Sequence, residues 1–402
     1  MKIAVFYNVT SGGAKRSVYD EVSRLAGKHT LDVFTTSVAN QDFADIRSFA
    51  QRMVIEPFQP GSLFNSPLGR LNMGVRTMDL LRLQAVMKRL AHHINRGNYD
   101  VALIHPCMFT FSPTILRYLK IPSLYYRHDP VRWLQDPPIE RPYQRENKLR
   151  CTLDKFDPLR TTYGRLLIHE DTTSMHAATR VVTNSYFTRE SLYRLYNVAP
   201  AVCYHGVDHQ LFRPLSLERQ NFVMSVGAIA PYKGYDFLIH SLACIPANSR
   251  PRLVLVGNVA LENEQKYLAD LATQLAVEVD FRHLISYEEL VRLYNQAICT
   301  VYTPMMEPFG LVPLESMACG TPVIGIKEGG VRETVIEEVT GLLADRDPEE
   351  FARQIIRLID DSDYTLNLGQ SARKYVETHW TWEQAIKTLE YHLTRVSAMN
   401  IN

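Results

Sequence analysis

Short apolar, β-rich runs alternate with stretches of helical period along the whole chain, the pattern of parallel α/β sheets. In the first half, Ile3–Tyr7, Leu31–Thr35, Val101–His105, Ser123–Arg127 and Val181–Asn184 read as strands. The second half starts afresh with Phe222–Val226, Arg252–Val256, Ile298–Tyr302 and Pro322–Ile326. Helical stretches lie between them, among them Val18–Ala26, Phe237–Ala243, Glu262–Ala276 and Tyr287–Ala297. Two such series predict two Rossmann-like, doubly wound α/β domains facing across a cleft. The join is expected in the polar stretch Leu211–Gln220, which contains Pro214, giving domains of 1–212 and 213–381. A last helix within 382–402 is expected to fold back on the first domain.

With 402 residues, 46% hydrophobic and 22% charged, the chain has the composition of a folded globular protein rather than a disordered one. No stretch reaches the ~18 apolar residues that a membrane-spanning helix needs. The start, MKIAVFYNV, runs straight into a strand pattern with no room for a cleaved leader. The six cysteines are scattered without a C-x-x-C pair and read as reduced, which points to the cytoplasm.

The net charge of +1 hides an asymmetry. Residues 1–200 hold 27 Lys and Arg against 17 Asp and Glu, a balance of +10, and the remainder carries −9. The basic half suits an anionic ligand or surface, but a balance of this size is no ground for a nucleic-acid partner. Within it, Gly69–Gly97 carries six Lys and Arg against the single acid Asp79, with apolar residues at helical spacing. Such a helix packs on the domain core or lies on an anionic membrane surface, and the first reading is the more ordinary.

Chemistry concentrates in three places. Strand Ile3–Tyr7 runs into a loop containing Gly12 and Gly13 and then a helix, so backbone can approach a ligand and helix N–H groups can meet an anion. This is neither a Walker loop nor a G-x-G-x-x-G fingerprint, which removes the main support for an NTPase or an NAD(P) oxidoreductase. The second place is Glu307-Pro-Phe-Gly-Leu-Val-Pro-Leu-Glu315, closed by Ser-Met-Ala-Cys-Gly-Thr-Pro322. A helix is expected from Leu311, with Pro313 in its first turn, to Gly320. Glu307 would sit on the loop at the sheet's carboxyl edge, where such sheets place ligands. Glu315 lies one turn into the helix, and Phe309, Gly310 and Leu311 offer backbone N–H groups between them. Two carboxylates beside clustered N–H donors suit a polyhydroxylated, anionic ligand.

This stretch resembles the E-x7-E signature of retaining, nucleotide-sugar-dependent glycosyltransferases of the GT-B fold, in the group called family 4. The resemblance spans nearly the whole chain and is most specific from Phe222 to Leu343. It implies that Glu307 contacts the hydroxyls of the donor sugar, that Glu315 holds the nucleotide ribose, and that backbone at Phe309–Leu311 binds sugar and phosphate oxygens. It makes Ser225-Val-Gly227 through Pro231-Tyr-Lys233-Gly234 the loop whose Lys233 pairs with the donor diphosphate. The family commonly has Arg directly after that first glycine, and here the position is Ala228; Arg332 is a candidate substitute. Leu124-Tyr-Tyr-Arg-His128-Asp-Pro-Val-Arg132-Trp133 resembles the segment whose His approaches donor and acceptor. His105 is expected to be structural. Asn184-Ser185 and Gly206-Val207-Asp208 resemble segments that line the cleft.

Two D-x-D strings, Asp345-Arg-Asp347 and Asp361-Ser-Asp363, read as helix caps and turns rather than metal ligands. The resemblance therefore implies a metal-independent enzyme with no bound cofactor, a nucleoside diphosphate sugar as co-substrate, and a saccharide or lipid-linked acceptor. GT-B architecture also serves nucleotide-sugar epimerases, sugar phosphorylases and non-catalytic nucleotide-sugar-binding subunits, which stay open as alternatives.

Overall fold

The computed structural model describes residues 1–65, 68–129, 139–144 and 157–399. Strands β1 (Lys2–Asn8), β2 (Thr30–Thr36), β3 (Arg52–Glu56), β4 (Val101–Cys107), β5 (Ser123–Arg127), β6 (Arg180–Thr183) and β7 (Ala201–Val202) form one sheet. All are parallel, in the order β3-β2-β1-β4-β5-β6-β7. Between them run α1 (Gly13–Leu25), α2 (Asn72–Asn95), α3 (Pro158–His176) and α4 (Tyr186–Tyr196). The second sheet holds β8 (Phe222–Val226), β9 (Arg252–Gly257), β10 (Val279–His283), β11 (Thr300–Tyr302), β12 (Val323–Ile326) and β13 (Gly341–Ala344). It too is parallel, in the order β10-β9-β8-β11-β12-β13. Its helices are α5 (Tyr235–Ala243), α6 (Glu262–Gln274), α7 (Tyr287–Gln296), α8 (Leu311–Ala318), α9 (Val331–Thr334), α10 (Pro348–Asp360) and α11 (Ser362–His379), and α12 (Trp382–Ser397) follows.

Both sheets are covered on both faces, which is why their central strands are nearly continuous apolar runs. Alternate residues of β1 enter different cores: Ile3 and Val5 pack with α1, Ala4 and Phe6 with α2. In β8, Val223 faces α5 while Phe222 and Met224 face α7 and α8. Helix α12 buries Trp382, Ile386, Leu389, Leu393 and Val396 at helical spacing against the first sheet, so the chain's last turns complete its first core. Val207 and Phe212 are already buried with the second core.

Helix α2 is packed on the core rather than standing apart. Leu80, Leu83, Met87, Leu90 and Ile94 form its buried stripe, and the carboxylate of buried Asp79 accepts the Gly61 N–H at 2.8 Å. Its outward face keeps Met78, Leu81, Arg82 and Lys88 exposed. The strand order reverses between β1 and β4 in one sheet and between β8 and β11 in the other. At such switch points flanking loops part and leave a crevice at the strands' carboxyl ends. The two crevices face each other.

Candidate active site

The loops after β1, β5, β6, β8, β11 and β7 meet around a cleft of about 710 Å³. From the first domain come Gly12, Gly13, His128 and Asn184, and from the second Gly227, Lys233, Glu307, Phe309, Gly310, Leu311 and Glu315. Eleven residues chosen from sequence are thus brought to one surface. The remainder of the His128 segment, from Pro130 to Trp133, lies outside the described residues.

Two helix N-termini face this space, α1 after Gly12 and α8 after Gly310, and neither has a side-chain cap. Their first-turn N–H groups therefore remain for a ligand. A Cβ at Gly12 or Gly13 would meet nothing within 4 Å, so both glycines open directly onto free volume. Gly227 serves differently: its φ is +156°, and a Cβ there would lie 3.2 Å from Lys233 Cε. The bare backbone lets the lysine stem lie over the end of β8. The lysine turn is tied to the opposite loop, since Thr303 Oγ1 donates to Lys233 O at 3.1 Å and Met305 N–H to Tyr232 O at 2.9 Å.

Lys233 Nζ is 3.0 Å from Glu307 Oε2, so an ammonium and a carboxylate are held as neighbours at the cleft. Glu315 is 3% exposed; it accepts from Tyr294 Oη at 2.9 Å and forms an ion pair with Arg16 of α1. Burial first, and then the Glu315 carboxylate, push the Tyr294 phenol well up. Arg16 thus crosses from the first domain to the second, and its guanidinium lies 5.4 Å from the ring centroids of Phe212 and Tyr287.

The signature loop is clamped as well. Ser185 Oγ donates to Pro308 O at 2.6 Å, and Glu333 accepts the N–H groups of Tyr186 and Phe187 at the start of α4, at 2.9 and 2.8 Å. Farther out, Arg141 reaches Asp236 of α5 at 2.9 Å and the buried Glu264 of α6 at 3.0 Å. His128 is 4% exposed and stacks on Tyr126 at 4.6 Å between ring centroids; burial, followed by His205, His105 and Arg127, keeps it neutral, with a pKa well below the ordinary value. His105 is completely buried behind it.

Two expectations are corrected. Arg332 does not line the cleft; its Nε donates to Gly329 O at 3.2 Å and its side chain is exposed. Arg16 is the second cation at the cleft, beside Glu315 rather than beside Ala228. Gly206-Val207-Asp208 also lies off the cleft. Gly206 packs against the backbone of Trp382, Val207 bridges Thr381, and Asp208 accepts from Gln210 and Leu211 N–H groups. The neighbouring His205 lines the cleft instead. Neither His205 nor Arg16 was marked by a local motif, although Arg16 follows Gly12 by one helical turn. Among the described residues no group of three His, Cys, Asp or Glu could hold a metal ion. Asp347 and Asp361 cap α10 and α11, accepting the Glu350 and Tyr364 N–H groups at 2.8 Å each.

The profile described as Glycosyltransferase Family 4 matches residues 11–211, half of the chain, and that of Glycosyl transferases group 1 matches 208–375. The chain belongs to glycosyltransferase family 4. The D-inositol 3-phosphate glycosyltransferase of Frankia alni is 31% identical over 234 residues, 52% of this chain and 56% of that protein. The Acidothermus cellulolyticus protein of that name is 35% identical over 207 residues, 46% of each chain. The chain thus spans about half the length of the curated relatives it matches. Among solved structures, sucrose-phosphate synthase from Thermosynechococcus elongatus superposes with a TM-score of 0.76 at 21% identity, over 99% of this chain and 100% of that one. Anabaena HepE, solved with UDP and glucose, gives 0.71 at 21% identity over 98% and 99%. At that identity these two establish the architecture, which is GT-B. No helix among the described residues is long and apolar enough to cross a membrane.

Proposed function

We propose that this family 4 chain moves a hexose-type sugar from a nucleoside diphosphate sugar to an acceptor hydroxyl, with retention of configuration and without a metal ion. One observation carries the reading: a single inter-domain cleft gathers Glu307, Glu315, Lys233, His128 and two uncapped helix N-termini. Carboxylates accept from ribose and sugar hydroxyls, while an ammonium and free backbone N–H groups face phosphate oxygens. HepE, which shares the architecture, was solved with UDP and glucose, so uridine diphosphate sugars head the donors to be tried.

In this reading Lys233 and the N-termini of α1 and α8 stabilise the departing diphosphate, where negative charge develops. The bond from the sugar's anomeric carbon to the diphosphate oxygen breaks, and the acceptor oxygen bonds to that carbon on the same face. The acceptor's proton passes to a phosphate oxygen of the leaving group. Glu307 and His128 hold the sugar in place, chiefly a matter of orientation. The proposal of metal-free departure is supported by one aspartate of each D-x-D string, Asp347 and Asp361, serving as a helix cap instead. Incubation with UDP-, GDP- and ADP-sugars, without acceptor, tests the reading. Slow release of nucleoside diphosphate, lost in Glu307→Ala, supports a transferase; an epimeric sugar product would point to the epimerase alternative, and binding without release to a non-catalytic subunit.

The relatives' name mentions an inositol phosphate. With the +10 balance of residues 1–200, that favours a phosphorylated or lipid-linked acceptor. A cytoplasmic protein working at the membrane's inner face fits one feature in particular. Exposed Met78 and Leu81 of α2 stand with Arg82 and Lys88, and exposed Leu63, Phe64, Leu159 and Ile168 belong to the same domain. Binding to vesicles containing anionic lipid, and its loss at high salt, is the expected result. Equal indifference to neutral and anionic vesicles contradicts membrane contact.

A further inference from the structure

Behind His128, the first domain holds an acid that the transfer reaction has not used. Glu21, on the inward face of α1, is 1% exposed, and neither carboxylate oxygen has a hydrogen-bond partner. Two imidazoles face it. His105 Nε2 lies 3.5 Å from Oε2, and His205 Nδ1 lies 3.7 Å from Oε1. His105 Nδ1 is in turn 3.3 Å from His128 Nε2, with the two rings stacked 5.6 Å apart at 9°. The rings come from β4, from the end of β5 and from the chain after β7, so the sheet fixes their spacing. A line of polar atoms runs from a buried acid to an imidazole that lines the cleft.

Such a line has two self-consistent polarities. If Glu21 is ionised, His105 donates to it from Nε2. His105 Nδ1 then accepts from His128 Nε2–H, and His128 Nδ1 is left as a bare acceptor. If Glu21 keeps its proton, the O–H donates to His105 Nε2 and His105 Nδ1–H donates to His128 Nε2. His128 then carries its proton on Nδ1. The surroundings favour the second arrangement. Burial first and Asp20 second push the Glu21 carboxyl well up, and burial brings His105 and His205 down to about 3. The other charged groups at the cluster are Lys15 on α1, which acts on His105, and Arg127 on β5, which acts on His128. Among the described residues no Lys or Arg pairs with Glu21, and an ionised carboxylate left unpaired in such surroundings is expensive.

We infer that Glu21 is a positioning residue for the proposed transfer: a neutral buried acid that donates to His105, which donates to His128 Nε2 and so fixes the tautomer and orientation of the imidazole that lines the cleft. The inference rests on the reading of the cleft given above, but its first test needs no substrate. Long-range 1H–15N spectra of the full chain with 15N-labelled histidine report which ring nitrogen bears the proton, with signals assigned by His105→Gln and His128→Gln. The expected result near pH 7 is protonation on Nδ1 of both rings and a protonated Glu21 carboxyl in the 13C spectrum. A proton on Nε2 of His105 beside an ionised Glu21 overturns the inference.

Kinetics supply the second test. Glu21→Met removes the donor and is expected to lower kcat about tenfold or more, with the donor KM changed less than about twofold. Glu21→Gln, whose amide N–H can still donate, is expected to restore most of that loss and the Nδ1–H signals. Equal kcat and equal tautomers in Glu21→Met and wild type overturn the inference while leaving the proposed function standing. Should wild type turn over no donor, the proposed function fails, and the spectra alone decide the tautomer chain.

Discussion

Replacing Gly330 by Ala adds one methyl group where the signature loop has no room for it. A Cβ there would sit 2.1 Å from Pro308 O, 2.7 Å from Pro308 C and 2.9 Å from Phe309 Cα. Ordinary contact begins near 3.4 Å, so the two backbones must part by about 1.3 Å. Gly330 has φ −79° and ψ −10°, which alanine adopts freely, so the substitution acts by crowding and not by backbone strain. The loop has little freedom to absorb the shift. Ser185 Oγ holds Pro308 O at 2.6 Å, and Gly330 N–H donates to Glu307 O at 2.8 Å. The movement therefore falls on Glu307 and on the backbone at Phe309. A displacement of about 1 Å in a positioning group can cost ~100-fold in rate, or about 2.7 kcal/mol. Initial rates of nucleoside diphosphate release measure kcat/KM, and a thermal melt separates loss of function from loss of fold. Gly164→Ala is the control. It lies inside α3 with nothing within 4 Å of an added Cβ, and is expected to keep its activity while gaining up to about 1 kcal/mol of stability. Gly330→Ala with kcat/KM within about twofold of wild type would refute the reasoning.

Lys233→Ala is expected to lower kcat by about 100- to 1,000-fold with the fold intact, as measured by diphosphate release and circular dichroism; wild-type turnover would remove Lys233 from its role. Arg16→Met leaves the buried Glu315 carboxylate with Tyr294 but without its cation. Breaking a buried pair costs about 3–5 kcal/mol, so a lower Tm and weaker nucleoside diphosphate binding by calorimetry are expected, and unchanged values would contradict the pairing. His105 and His205 stay neutral in the folded chain down to about 3, because burial opposes their charging. The unfolded chain binds protons at these residues below ~6.5, so their contribution to stability falls as pH drops from there toward 3. At pH 5 the two together cost about 4 kcal/mol. Buried His128 adds to this drop and Glu21, raised instead of lowered, works in the opposite direction, so urea titrations at pH 7 and pH 5 should compare wild type with His205→Phe, in which the drop is expected to shrink by about 2 kcal/mol. A drop of the same size in the variant would contradict the assignment.

Much of the architecture is legible because central strands in a doubly covered sheet must be apolar throughout. Ile3–Tyr7, Arg252–Val256 and Pro322–Ile326 announce themselves for that reason. The edge strands do not. Arg52–Glu56 and Val279–His283 border solvent on one side, carry charged residues and lack a continuous apolar run. The short Gly341–Ala344 lies just past a turn and was equally silent. The carboxylate pair of the site was readable because one loop and one helix turn hold both members. Arg16 was not, since it acquires its role only when two domains meet, a relation no local spacing records. The basic segment of α2 was ambiguous for a different reason: the stripe that packs on a core and the stripe that would enter a membrane surface have the same period.

The most direct measurement is a structure of the chain with an intact nucleoside diphosphate sugar bound. The account expects Glu307 on the sugar hydroxyls, Glu315 on the ribose, and Lys233 turned from Glu307 to the diphosphate between the N-termini of α1 and α8. A donor seated elsewhere, with the Lys233–Glu307 and Arg16–Glu315 pairs undisturbed and no phosphate near either helix, would contradict it.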